Sequence, residues 1–323
     1  MLAEATALAE AAAPAWAQAE LPFVSVAVRS YRRLPQLFEL VRSLQQQDYP
    51  RFEVVVIEQS TLEREAHREA LRALSGDARV RILEYEALGA GAARNEAARQ
   101  SRGDIVLFLD DDDLPLHDSW ISAHAANYAD PNCIAVSGRH VVDESIDATN
   151  YDTPKNHRLC LRYSFFKMPR GRTYHGQRLH GVTQVAGTNA SIRRSAIERA
   201  GGWDDERDHD EDSFNFRFAR VKAKDEYFAY DPRPAILRRL DVPGGLGRRQ
   251  QSVLARLRAE LRFFHSIIGR YFPWRFRAFY PVYLVLAVQR AFQHVIESRR
   301  LAPALPAPAE RHAELSRTEL SRY

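Results

Sequence analysis

Four consecutive aspartates at positions 110–113 follow the apolar run of residues 105–109 in the segment FLDDDDLP. Two like charges about 4 Å apart repel by roughly 4 kcal/mol at an effective dielectric constant near 20. The acids must therefore face open water or surround a cation. Carboxylate oxygens suit Mg²⁺ and Mn²⁺, and alternate residues of an extended chain point the same way. Asp110 and Asp112 are thus predicted to hold one ion, and the alternative is a solvated acidic turn or a cluster of acids at a helix N-cap.

A glycine-containing turn opens the segment GAGAARNEAARQSRGD at residues 89–104. It lies between a predicted strand and a predicted helix, but Arg94 stands where a dinucleotide-binding fingerprint has its third glycine or alanine. Arg94 and Asn95 at the start of the helix are instead expected to reach a ligand at the strand ends. The alternative is a glycine turn with a solvent-facing arginine.

Acidic residues are dense in the segment GGWDDERDHDED at residues 201–212. One carboxylate here could act as a general base on a hydroxyl group, and neighbouring acids would raise its pKa. Asp212 is the best placed, at the start of a predicted helix, with Asp208 and Asp210 within one turn of it. An acid-rich helix start is also favourable in itself, because it complements the helix dipole.

The first half of the chain alternates apolar runs with helical stretches, which predicts βαβ units and a mostly parallel sheet. Ligands of such sheets gather beyond the carboxyl ends of the strands, and the four aspartates follow such an end. The predicted strands are 23–28, 52–57, 80–85 and 105–109, and the predicted helices lie near 34–47, 62–74 and 91–101.

The second half is less regular and carries a basic, aromatic C-terminal part. Residues 133–143, 185–192 and 227–240 are predicted to be extended, and residues 144–180 and 242–250 are predicted to be loops. A helix at 194–200 should stop at two glycines, and a further helix should begin at Glu211 and Asp212.

Composition limits the class of protein. A net charge of +4 over 323 residues is too small a bias to indicate nucleic acid as a partner. Cys133 and Cys160 make neither a disulfide framework nor a zinc site, which favours a reducing compartment. The alanine-rich start has no basic segment and contains Glu4 and Glu10, so we expect a frayed helix or tail and a cytoplasmic protein. No run reaches the roughly 18 apolar residues of a membrane span.

Five motifs, in order from about residue 22 to 240, resemble the family 2 glycosyltransferases of the GT-A fold, which are inverting and use nucleotide-sugar donors. VSVAVRSYRR resembles the opening strand of that family, and EVVVIEQST resembles its second strand. The other three motifs are GAGAARN, GDIVLFLDDDDLP with its D-x-D pair, and GTNASIRRSAIERAGGWDDERDHDED.

The resemblance implies a role for each matching residue. Asp110 and Asp112 would bind Mn²⁺ or Mg²⁺, and Asp212 of the Glu211-Asp212 pair would be the catalytic base. The implied nucleotide-sugar-binding residues are Ser30, Tyr31, Glu58, Arg94, Asp111, Arg239 and Arg248, with Arg249 as an alternative to the last two.

Three positions depart from the family pattern. Arg29 stands where the family usually has proline, Arg32 stands where it has asparagine, and Glu58 stands where it has aspartate. The Q-x-x-R-W motif of processive synthases is missing, which argues against a polymerase.

The implied reaction transfers a sugar to a hydroxyl of a glycan or lipid-linked acceptor, as in polysaccharide biosynthesis at the cell envelope. The divalent cation would offset the repulsion among the aspartates. Two other functions remain open from the sequence: a metal-dependent phosphohydrolase, and a non-catalytic nucleotide-binding partner subunit.

The expected organisation is a tail at 1–20, a GT-A domain at 21–245, amphipathic helices at 246–300 and a disordered tail at 301–323. Arginine alternates with aromatic residues over 260–299. These helices either lie in the membrane interface, at the inner face of the cell membrane, or pack on the catalytic core, since amphipathicity suits both.

Overall fold

The computed structural model describes residues 21–61, 64–142, 162–167, 169–170, 177–204, 210–239 and 252–301. The chain divides into two compact units, residues 1–240 with 244–246 and residues 241–243 with 247–323. The predicted tails at 1–20 and 301–323 lie outside the described residues, except for Leu301, which ends a helix. The loop at 242–250 with Arg248 and Arg249, Cys160 and Asp208 also lie outside them, as does most of the predicted loop at 144–180.

The first four strands form a parallel sheet in the order β3-β2-β1-β4. The residues of β1, β2 and β4 are almost all buried, because helices cover both faces of the sheet, whereas β3 at the edge is mostly half-buried. The predicted βαβ arrangement is confirmed here. The strands are β1 (Val24–Ser30), β2 (Phe52–Glu58), β3 (Val80–Glu84) and β4 (Ile105–Asp110), and the helices are α1 (Leu34–Gln45), α2 (Arg68–Leu74) after a 3₁₀ turn at Glu65–His67, and α3 (Ala90–Gln100).

Beyond β4 the sheet becomes mixed, but six of the nine strands described in it run in the same direction, so the prediction of a mostly parallel sheet is confirmed. The next strand, β10 (Ala190–Arg193), is antiparallel to both β4 and β6 (Cys133–Val142). A central strand is buried on both faces whichever way it runs, so an apolar run does not reveal its direction. The sheet continues with β11 (Tyr227–Arg238) parallel to β6, and with β5 (Asp113–Pro115) and β9 (Leu179–His180) antiparallel to β11.

The predicted strand at 185–192 begins only at Ala190, because the preceding residues bond to side chains. Asn215 accepts a hydrogen bond from Val185 N–H and donates one to the Val185 carbonyl. The Ala186 N–H donates to the Ser137 hydroxyl. These side chains replace a neighbouring strand and hold the segment irregular.

Three further helices pack on this unit. Helix α5 (Arg194–Ala200) ends at Gly201, whose φ of 73° lies in the left-handed region, as predicted from the two glycines. Helix α6 (Asp210–Val221) begins close to the predicted Glu211 and Asp212. Helix α4 (Trp120–Ala125), followed by a 3₁₀ turn at Ala126–Ala129, was not predicted, nor was a small sheet of β7 (Arg162–Tyr163) and β8 (Pro169–Arg170).

Stacked aromatic rings fix α6 to the sheet. The ring centroids of Trp203 and Phe214 are 4.1 Å apart, and those of Phe218 and Phe228 are 4.5 Å apart. Phe228 belongs to β11, so the series joins α6 to the sheet. The acidic start of α6 is therefore carried by a rigid element.

The second unit consists of consecutive helices around the buried carboxylate of Glu260. Glu260 accepts hydrogen bonds from Arg256 and from Arg290, which lies 30 residues further along. None of the helices in the described ranges is long and apolar enough to cross a membrane. The elements are α7 (Val253–Arg262), a π-helical segment (Phe263–Ile268), α8 (Gly269–Tyr271), α9 (Pro273–Ala278) and α10 (Tyr280–Leu301).

Candidate functional site

The chain turns sharply within the four aspartates at the end of β4, and residues 110–113 are called the acidic corner below. Asp110 ends β4, the next two aspartates form the turn, and Asp113 begins β5. One carboxylate oxygen from each of Asp110, Asp112 and Asp113 lies within 4.8 Å of the others. Asp113 was missed from the sequence because strand alternation was assumed to continue past Asp110. Since Asp111, Asp112 and Asp113 are all buried, the alternative of a solvated acidic turn is wrong.

Arginine side chains lie against these acids. Arg29 on β1 bonds Asp110 through Nε to Oδ1 at 2.7 Å and through Nη2 to Oδ2 at 3.2 Å. Arg33 Nη1 lies 3.1 Å from Asp111 Oδ1 and 2.7 Å from Asp112 Oδ2. Arg238 Nη1 lies 3.9 Å from Asp113 Oδ2. The prediction that a metal ion offsets the repulsion is thus incomplete, because arginines already lie beside the carboxylates.

Burial and the arginines act in opposite directions on the pKa values of the carboxyl groups. Burial alone would raise the pKa of Asp110, but the charge of Arg29 outweighs it and holds this pKa well below its usual range. Burial raises the pKa of Asp111 to about 7 although Arg33 opposes it. Burial likewise raises the pKa of Asp113 to about 8. Further negative charge is therefore costly in this cluster, and a bound cation would remove that cost.

A divalent cation fits this donor set. Asp113 is fully buried, and its Oδ2 accepts a hydrogen bond from the Thr188 hydroxyl at 2.8 Å. Its Oδ1 is buried and has no hydrogen-bond partner among the described residues, an arrangement that destabilises the fold unless a ligand supplies the missing contact. Three converging carboxylates with one unsatisfied oxygen suit an oxygen-seeking cation such as Mg²⁺ or Mn²⁺.

Thr188 and Asn189 hold the acidic corner against the sheet. The Thr188 hydroxyl accepts the Asp110 N–H at 3.0 Å while it donates to Asp113. Asn189 has a φ of 50°, and its amide nitrogen donates to the carbonyls of Arg139 and Pro234. Neither residue was identified from the sequence, although two polar residues next to an apolar strand in GTNASI were the available signal.

Ser30, Tyr31 and Glu58 follow or end the first two strands, but their surroundings differ. Ser30 is buried and lowers the pKa of Asp111, against the larger effect of burial. The Tyr31 N–H donates to Asp111 Oδ2 at 3.3 Å. Glu58 is fully buried and accepts hydrogen bonds from Arg64 Nε at 2.7 Å and from the Ser60 N–H. Its carboxylate is therefore already engaged within the protein.

Arg94 is buried and paired, so the alternative of a solvent-facing arginine is wrong. Its side chain is 2% exposed, and its Nη2 donates to the Glu211 carboxylate and to the Gly187 carbonyl. A side chain at position 187 would collide with Glu211, so glycine there allows the close approach. Arg29, Arg94, Asp110 and Gly187 help to line a small cavity. Asp212, next to Glu211 on α6, is 8% exposed.

Arg239 lies against the acidic corner. Its N–H and its Nε both donate to the Asp112 carbonyl, at 3.1 and 3.3 Å, and its guanidinium pairs with Glu39. Arg248 lies outside the described residues. Sequence reasoning missed further residues that contact the predicted ones, namely Arg33, Arg64, Asp113, Thr188 and Arg238.

Known proteins resemble this chain in part of its sequence and in its fold. The family described as "Glycosyl transferase family 2" matches residues 25–201, more than half of the chain. An uncharacterized glycosyltransferase of Haemophilus influenzae is 37% identical over 91 residues, 28% of this chain and 29% of its own. The poly(ribitol-phosphate) beta-N-acetylglucosaminyltransferase TarS of Staphylococcus aureus is 36% identical over 96 residues, 28% of this chain and 16% of its own. The matches thus span less than a third of either relative.

Solved structures resemble this chain over most or all of its length. The mannosyltransferase PcManGT of Pyrobaculum calidifontis, in complex with GDP-Man and Mn²⁺, superposes with a TM-score of 0.56 at 21% identity, covering 100% of this chain and 87% of its own. TarS 1-349 superposes with a TM-score of 0.52 at 16% identity, covering 88% and 81%. The architecture is the predicted GT-A fold. Taken with the family match and the acidic corner at the end of β4, these findings mean that the chain belongs to glycosyl transferase family 2.

Proposed function

We propose that this protein is an inverting, metal-dependent glycosyltransferase that moves a sugar from a nucleoside-diphosphate donor to a hydroxyl of a glycan or lipid-linked acceptor. The observation that supports it best is the convergence of Asp110, Asp112 and Asp113 at the end of a parallel strand. Parallel α/β sheets bind their ligands in that position.

The donor class is supported by the structural neighbours. PcManGT is described in complex with GDP-Man and Mn²⁺, and TarS 1-349 in complex with UDP-GlcNAc. In this chain a divalent cation held by the three aspartates would supply positive charge beside the diphosphate leaving group. Ser30 and Tyr31, which adjoin Asp111, are proposed to contact the nucleoside, and Arg94 and Arg239 are proposed to add positive charge near the diphosphate.

The base is assigned to α6. Glu211 is engaged with Arg94, so its role is to hold that arginine, and Asp212 is proposed to take the proton from the acceptor hydroxyl. The acceptor oxygen then attacks the anomeric carbon from the opposite face while the bond from that carbon to the diphosphate oxygen breaks, which releases the nucleoside diphosphate and inverts the configuration.

We further propose that part of 260–299 contacts a membrane surface that carries the acceptor, at the inner face of the cell membrane. On α10 the side chains of Val285, Val288, Phe292 and Ile296 are exposed along one face. Residues 269–278 contain three arginines and no acidic residue. An apolar stripe with nearby arginines suits an anionic lipid surface.

The test of the donor site is thermal unfolding with UDP, GDP, dTDP and CDP, each with Mn²⁺, Mg²⁺ or EDTA. A ligand that binds only the folded state stabilises it by about 2.7 kcal/mol at a hundredfold excess over its dissociation constant. We expect one diphosphate to stabilise the protein selectively, and we expect EDTA to abolish that stabilisation. Asp112→Asn should lose the metal-dependent part.

Asp212→Asn distinguishes catalysis from binding. The variant should bind the donor as the wild type does and lose transfer by about 10²-fold or more, because the general base is gone. Undiminished transfer would refute the assignment of the base. Stabilisation by no diphosphate would favour a non-catalytic subunit, and release of phosphate without an acceptor, faster than sugar transfer, would favour a phosphohydrolase.

A further inference from the structure

Arg29 and Asp110 are neighbours because of the register of two parallel strands. Their Cα positions are paired between β1 and β4. The guanidinium uses two N–H groups on the two oxygens of the carboxylate, the geometry of a strong charge-assisted pair. Arg29 therefore already bonds both oxygens of Asp110, which also belongs to the cluster of three acids at residues 110, 112 and 113.

A cation bound at the cluster would meet a guanidinium already in contact with one of its ligands. The cation and the guanidinium repel each other, and the oxygens of Asp110 would have to bind both of them. Arg29 thus weakens the binding of a free divalent cation. The side chain of Arg29 is 23% exposed, against 10% for Arg33, so Arg29 has more room to turn toward a ligand.

We propose that Arg29 makes divalent-cation binding depend on the nucleoside diphosphate. In the free protein Arg29 is the counter-ion of Asp110, and with donor bound it turns to the diphosphate oxygens and leaves Asp110 to the cation. The inference rests on the proposed function. It extends that function by stating that the protein takes up cation and nucleotide together rather than the cation alone.

This arrangement requires positive coupling between the two ligands. The diphosphate brings negative charge that offsets both the cation and Arg29, so each ligand raises the affinity for the other by the same factor. A purely structural Arg29–Asp110 pair would alter the unfolding free energy and leave this coupling factor unchanged.

The experiment measures Mn²⁺ binding by electron paramagnetic resonance, without nucleotide and with the saturating diphosphate that most stabilises the wild type among UDP, GDP, dTDP and CDP. The proteins are wild type, Arg29→Met, Arg29→Lys and the control Arg72→Met, which removes an exposed arginine on α2. We expect nucleotide to raise Mn²⁺ affinity in the wild type by a factor within the roughly 5–150-fold range of such couplings. Arg29→Met should bind Mn²⁺ alone more tightly and show a smaller factor, and the part that remains is the direct attraction between cation and diphosphate.

Arg29→Lys keeps the charge but not the paired hydrogen bonds, so its coupling should lie between those of wild type and Arg29→Met. It also serves as the test protein if Arg29→Met does not fold. An unchanged coupling factor in the folded Arg29 variants, with nucleotide still bound, would overturn the inference and leave the proposed function standing. Failure of the wild type to bind any of the four diphosphates would overturn both.

Discussion

At the scale of single residues, a buried polar network next to the acidic corner fixes Asn189. The Asn189 side-chain oxygen accepts from Trp120 Nε1 at 2.9 Å and from His124 Nε2 at 3.0 Å. His124 Nδ1 then accepts from the Ser191 hydroxyl, which in turn accepts from Tyr128. Asparagine tolerates the left-handed backbone found here, so this network also fixes the adjacent Thr188 against Asp113.

His124 should make the protein less stable in mild acid. Burial lowers its pKa to about 4, against about 6.5 for an ordinary histidine. Between these two pH values the unfolded chain binds a proton that the folded chain does not. The free energy of unfolding should therefore fall by about 3 kcal/mol as the pH drops from 6.5 to 4, with no contribution from His124 above that window.

Urea unfolding at a series of pH values measures this effect. His124→Gln removes the titrating group and retains an amide that can donate to Asn189, so its stability should depend less on pH than that of the wild type. His140, whose pKa burial lowers to about 3, is present in both proteins and cancels in the comparison. Parallel curves for the two proteins would contradict the assignment.

The proximity of site residues could be predicted only where they are close in sequence. Asp110 and Asp112 stand in one run, so their proximity required no knowledge of the fold. Arg29 lies 81 residues from Asp110, and their contact depends on the register between β1 and β4. Apolar patterning predicts that a strand exists and does not predict its register.

At the scale of elements, the contact between the start of α6 and α3 depends on one glycine. Gly187 leaves room for the Glu211 carboxylate, which accepts from Arg94 on α3. The Gly187 carbonyl accepts from the same arginine. The close approach of this backbone thus sets where Glu211, and with it the start of α6, can lie.

Gly187→Ala should reproduce the effect of Glu211→Gln. The added methyl group displaces the Glu211 carboxylate from Arg94, and because Glu211 is 44% exposed the expected loss of stability is only about 1–2 kcal/mol. The double variant should lose about as much as Glu211→Gln alone, since both changes remove one interaction. Chemical denaturation measures all three, with Glu198→Gln on the exposed face of α5 as the control. Additive losses would show that the two residues act separately.

In the first half of the chain, the predicted elements are the apolar runs and the helices between them. Strands β1, β2 and β4 are nearly continuous apolar runs between helical stretches, and such a pattern is typical of a parallel sheet covered by helices. Strand β5 has three residues and α4 has six, too few for a hydrophobic period to emerge. Their positions follow from tertiary contacts, as β5 pairs with β11 from the far end of the unit.

At the scale of the whole molecule, the second unit has a helix with two apolar faces. Tyr283, Ala287, Ala291 and Val295 on α10 are buried, while Val285, Val288, Phe292 and Ile296 are exposed. One apolar face is sufficient for a helix that packs on a soluble protein. The second face is not needed for the packing of this unit, and our proposal assigns it to a membrane surface.

Replacement of Val288 and Phe292 by serine should detach the protein from vesicles that contain phosphatidylglycerol. The change removes two apolar side chains that the membrane would bury, and each is worth about 1.5–3 kcal/mol, so the bound fraction should fall by more than about tenfold. Co-sedimentation measures the bound fraction. Gln293→Ser, an exposed polar position on the same helix, is the control. Equal binding of the double variant and wild type, or no binding of either, would refute the proposal.

The antiparallel strand β10 also decides when the site can form during synthesis. The four parallel strands are complete once residue 110 has left the ribosome, but the strand that pairs with the open edge of β4 in the described part of the chain is Ala190–Arg193. Thr188, which holds Asp110 and Asp113, is translated in the same late segment. Until then the nascent chain carries an uncovered strand edge beside four acids, a state prone to wrong pairing. The acidic corner therefore closes only after translation has passed β10, late in the synthesis of the first unit.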